Sequence, residues 1–94
     1  MSRSIDPDTV RATMSRVNEL RRRARRLRSL ANDQRRASYA AHGAGAVSIS
    51  HDRAVAAEHY YAAVVNERDA DRADAEASAL IRTVRPHVLY LTNA

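Results

Sequence analysis

Six arginines fall within eight residues, at Arg21, Arg22, Arg23, Arg25, Arg26 and Arg28. A guanidinium is a planar fork of donors that meets a phosphate or a carboxylate with paired hydrogen bonds. Such a cluster holds anions; it does not make or break bonds. An acidic counterpart follows later in the chain: Glu67, Asp69, Asp71, Asp74 and Glu76. Arg21, Arg25 and Arg28 stand at i, i+4, i+7 and share one side of a helix. Glu67, Asp71 and Asp74 repeat that spacing. Like charges so placed repel within an isolated helix by a few tenths of a kcal/mol per pair, about 0.2–0.5. Two uses of the arginines follow: pairing with the acidic stretch, or contact with the phosphates of a nucleic acid.

Other chemistry is poorly supplied. There is no Cys, which excludes disulfides and thiolate catalysis. Ligands that share a metal on a helix stand at i, i+3 or i, i+4, whereas His51 and Glu58 are seven apart and His59 follows directly. No nucleophile stands in a recognisable arrangement, and Gly43-Ala44-Gly45 is too short for a phosphate loop. Neither catalysis, a cofactor, a metal nor a small-molecule substrate is expected. Helix-turn-helix spacing, a zinc site and an RNA-binding aromatic motif are all missing, so sequence-selective reading of bases is not expected either.

The elements that carry the arginines are helical. Asp6 suits an N-cap, Pro7 the first helical position, and Asp8 the positive helix end. Val10, Val17, Ala24 and Ala31 then recur every seven residues, with Leu20 and Leu27 three after Val17 and Ala24. This heptad stripe predicts one helix over about 7–42. Gly43 is a natural left-handed C-cap, and 43–50 reads as a turn, with Ser48 or Ser50 capping the next helix. That helix is expected over about 51–84, because the position before Pro86 disfavours helix. Its apolar pattern is patchy: Ala57, Tyr61, Val64 and Val65, then Ala73, Ala77, Leu80, Ile81 and Val84. Residues 86–94 read as a short apolar tail, strand or docking segment, carrying Val88, Leu89, Tyr90 and Leu91. Residues 1–6 form an N-terminal arm.

Composition agrees. In these 94 residues, 19 are Ala, 16 are Arg and none is Lys, Phe or Trp, so any core is thin and Ala-lined. With two Gly and two Pro, the chain lacks the punctuation of a β fold. The reading is therefore all-α: one helical domain over 1–94, built as a long antiparallel two-helix hairpin. Residues 1–47 carry eleven Arg against four acids, and 48–94 five Arg against seven. Folding about residue 46 sets Arg21–Arg25 opposite Asp71–Glu67, and Leu27, Leu30 and Ala31 opposite Val65, Ala62 and Tyr61. Facing numbers then add to about 92.

One hairpin buries little area, so a homo-oligomer is expected, with Tyr60, Tyr61 and the apolar tail as contacts. No secretory signal or membrane-spanning run is visible, which points to the cytoplasm or the inside of a virion. The chain reads as a non-enzymatic interaction module. Its arginine-rich face meets nucleic acid or an acidic protein. Alternatively it is a structural or adaptor subunit of a phage or bacterial assembly.

Overall fold

The computed structural model describes residues 6–43 and 49–93, and side chains over 6–41 and 53–86. Two helices make up the described chain, α1 (Pro7–Gly43) and α2 (Ile49–Asn93). They pack antiparallel as a hairpin of 71 × 18 × 15 Å. Its radius of gyration is 20.6 Å, against roughly 12 Å for a compact chain of this length. No described helix is long and apolar enough to cross a membrane.

A single heptad stripe on each helix makes the seam. On α1 it is Val10, Val17, Ala24, Ala31 and Ser38; on α2 it is Ala56, Ala63, Ala70, Ala77 and Val84. All ten are buried. Ser38 Oγ donates to the Ala56 carbonyl at 2.9 Å. Stepping by sevens from that contact pairs Ala31 with Ala63, Ala24 with Ala70, Val17 with Ala77 and Val10 with Val84. Facing numbers in the seam therefore add to 94. Side chains this small let the two backbones approach closely, and close approach is what hides them. Leu20 and Ala73 extend the packed cluster, and Leu27, Leu80 and Ile81 lie against it.

Four expectations need correction. The seam of α2 runs through Ala56, Ala63 and Ala70, not through Tyr61 and Val65, which are 73% and 47% exposed. Bulkier residues do not fit between helices held apart by alanine alone. Gly43 is the last residue of α1, and no described glycine has positive φ, so it is not a left-handed cap. Of the expected turn, Ile49 and Ser50 already belong to α2, while 44–48, with Ser48, lie outside the described residues. Finally, α2 does not stop at Val84 but runs through Pro86 to Asn93. The proline removes one N–H, the donor that would reach the Arg82 carbonyl. The residues after it, His87 to Leu91, carry no Gly or Asn stop, so the helix resumes. The tail is thus helical in backbone, not a strand. Asp6 opens α1 as expected, its carbonyl accepting from the Val10 N–H at 3.1 Å.

Candidate nucleic-acid interface

Beside the seam the hairpin has two flanks, each lined by heptad columns of both helices. The first flank carries Met14, Arg21, Arg28 and Arg35 from α1 against Tyr60, Glu67, Asp74 and Ile81 from α2. Arg28 reaches Asp74 at 2.5 Å and Asp71 at 3.2 Å. Arg35 grips Glu67 with two bonds, Nε to Oε1 at 2.7 Å and an Nη to Oε2 at 2.8 Å. Its guanidinium carbon also stands 5.3 Å from the centre of the Tyr60 ring, within cation–π range. Arg35 is held above its ordinary range by its hydrogen bonds to Glu67. Arg28 is raised in the same sense by Asp74 and then Asp71. The Glu67 carboxyl is pulled below its usual range by Arg35.

The second flank is milder. Gln34 accepts from the Asn66 side-chain amide at 2.8 Å. Arg16 approaches Glu76 at 3.7 Å, and Glu19 on its own helix at 3.5 Å.

Four of the five acids in the stretch are therefore approached by Arg16, Arg28 and Arg35, and Asp69 makes no ion pair among the described residues. The expected pairing of Arg21 and Arg25 with Asp71 and Glu67 does not occur. Two geometric causes combine. The seam register is two residues from the expected one. Helical side chains also lean toward their own N-terminus. In an antiparallel pair the two leans converge on the first flank, each by about one turn, so long partners meet about two turns out of register. Arg35 with Glu67 and Arg28 with Asp74 both add to 102. At that offset Arg21 faces Ile81, which offers no charge.

Among the described residues, Arg21, Arg22, Arg23, Arg25 and Arg26 make no ion pair within 4 Å. All five are exposed. Arg21 and Arg25 sit on the first flank, Arg22 and Arg26 on the back of α1, and Arg23 at the edge of the second flank. Arg16, Arg22, Arg23 and Arg26 line one shallow depression with Glu19 and Leu20. Arg23 also borders a neighbouring one, with Asp69, Arg72 and Glu76. The arrangement presents a band of cations around roughly two turns of a rod. Of the six expected arginines, only Arg28 is committed to acids.

Tyr60 and Tyr61 are both exposed, at 52% and 73%; neither enters the seam. The side chains of Val88, Leu89, Tyr90 and Leu91, and of His42, His51 and His87, lie outside the described residues. His59 is half-buried on the second flank. Glu67, Asp71 and Asp74 are directed at arginines. Sequence reasoning missed Arg35 as the main clamp. Its signal was there: Arg21, Arg28 and Arg35 form one heptad column, as do Tyr60, Glu67, Asp74 and Ile81.

No family model, curated protein or solved structure matches this chain.

Proposed function

We propose that the chain is a non-enzymatic helical module that binds the phosphate backbone of nucleic acid through Arg21, Arg22, Arg25 and Arg26, with Arg23 at the edge. One observation carries the reading. Glu67, Asp71 and Asp74 are engaged by Arg28 and Arg35, Glu76 lies by Arg16, and the five cations between Leu20 and Leu27 make no ion pair among the described residues. Uncompensated guanidinium groups on a rigid helix are preorganised for phosphate oxygens. Contacts of this kind position a protein on a nucleic acid and carry no sequence information, so duplexes of different sequence bind alike.

The test is fluorescence anisotropy with a labelled duplex. Changing Arg21, Arg22, Arg25 and Arg26 to Gln removes binding and leaves the helix content intact. Changing Arg35 to Gln, which breaks a clamp and not the cluster, leaves binding near the wild-type level. Equal losses in both variants would overturn the assignment.

A structural or adaptor role in a larger assembly is the second reading. It is favoured by a different observation: among the described residues the large exposed apolar side chains are Leu30, Tyr39, Tyr60, Tyr61 and Val65, and these stand in the half of the hairpin next to the turn.

A further inference from the structure

We propose that the second flank of the hairpin is the contact surface for a second copy of this chain, with the twofold axis along the hairpin and both turns at the same end. The proposal is separable from the nucleic-acid reading: Arg21, Arg22, Arg25 and Arg26 lie elsewhere on the rod, and only Arg23, at the edge, is common to both.

The flank divides along its length. Next to the turn its columns carry Leu27, Leu30 and Ala37 from α1, and Val55 and Ala62 from α2, with Val65 at the outer edge. Leu30 and Val65 are 48% and 47% exposed, and the rest are half-buried. Among the described side chains no Arg, Asp or Glu stands in these columns between Leu27 and Asn66, and the half-buried His59 is their one ionisable group. The polar Gln34 and Asn66 are already bonded to each other, so covering them strands little. Farther from the turn the same columns carry charge, and they carry it by helix: Arg16 and Arg23 on α1, Asp69 and Glu76 on α2.

That division selects one partner arrangement. A twofold axis along the hairpin lays α1 of one copy over α2 of the other at the same height. Arg23 then meets Asp69 of the second copy, and Arg16 meets Glu76 of the second copy. Leu30 meets Ala62 of the second copy. Each apolar half covers an apolar half, and every charge faces its opposite. With turns at opposite ends, apolar halves would lie on charged ones. The result is a four-helix bundle in which adjacent helices run antiparallel, a common way for such hairpins to complete a core.

The surface available is sufficient. The chain exposes 7161 Å², against about 5,400 Å² for a compact monomer of its mass. The excess is larger than the ~800 Å² per partner that a standard interface covers.

Sedimentation of the full chain tests this. The expected species has twice the 10.5 kDa chain mass at micromolar concentration. Leu30→Glu, at an exposed position, raises the dissociation constant at least about tenfold with helix content unchanged by circular dichroism. The decisive step is mixing. Arg23→Glu chains and Asp69→Arg chains each dimerise poorly alone, since like charges then face each other across the axis. Mixed together they form a heterodimer at wild-type strength, because both cross-contacts become opposite in sign. A monomer up to 100-fold above micromolar concentration overturns the proposal. So does a dimer that ignores Leu30→Glu and gains nothing on mixing, which would place the contact on another surface such as the tail.

Discussion

Away from the turn, Val17, Leu20 and Ala24 pack with Ala70, Ala73 and Ala77 into one cluster, supported by Leu80 and Ile81. Next to the turn the seam narrows to Ala31, Ser38, Ala56 and Ala63. Directed bonds join the helices there: the Gln34–Asn66 amide pair, the Ser38 hydroxyl on a carbonyl, and the Arg35 clamp on Glu67. The first half is held by burial, which is strong and indifferent to register. The second half is held by directed bonds, which are individually weak, about 0.5–1.5 kcal/mol each, but fix which residues stand level. The division teaches why large apolar side chains are exposed near the turn: that half does not use them for its own seam.

Substitutions should separate the halves, and the largest effect belongs to the packed one. Val17→Asp places an unpaired charge at a fully buried position. It should cost about 3–5 kcal/mol, a large part of the total stability of so small a domain. Thermal melts followed by circular dichroism should show the cooperative transition lost or shifted far down. Ala70→Leu forces a large side chain between close backbones and should cost about 1–3 kcal/mol. Tyr61→Leu, on the outer surface of the other half, should leave the same transition almost in place. Similar losses from Ala70→Leu and Tyr61→Leu would contradict the division.

Much of the first half was legible in the sequence, and less of the second. The α1 stripe announced itself because Val10, Val17, Leu20 and Leu27 are large. The α2 stripe was quiet, since Ala56, Ala63, Ala70 and Ala77 are four of nineteen alanines, and helical spacing alone did not single them out. Tyr61 and Val65 drew attention by size, although size is what keeps them out of the seam. The two-residue error in register followed, and the charge partners moved with it. The lean of each side chain toward its own N-terminus added about a further turn of offset on each helix that residue numbers do not display. The course of α2 through Pro86 was hidden for another reason: a proline weakens a helix at one bond without deciding whether the following residues resume it.

Smaller effects probe the polar half. Gln34→Ala leaves the Asn66 amide without its partner and should cost about 1 kcal/mol by chemical denaturation. Replacing both residues by Leu should restore that loss, because no half-buried polar group is then stranded. A double variant worse than the sum of the singles would mean that the pair contributes more than its own hydrogen bond. The smallest effect is a pH dependence. Glu67 titrates below its ordinary value because Arg35 binds its charged form. The stability of this clamp is therefore complete above the unfolded carboxyl value, about 4.3, and is lost as the pH falls through the lower folded value. Glu67→Gln should flatten that acid-side loss while leaving melts at neutral pH little changed.

The proposed interface is tested most directly by the salt dependence of duplex binding to the wild-type chain. Each phosphate contact releases condensed counterions and contributes about −0.9 to the slope of log affinity against log salt. Four arginines in contact predict a slope of roughly −3 to −4, the same for duplexes of unrelated sequence. A chain that binds neither DNA nor RNA even near 50 mM salt would contradict the assignment and leave the arginine band as a surface for another anionic partner.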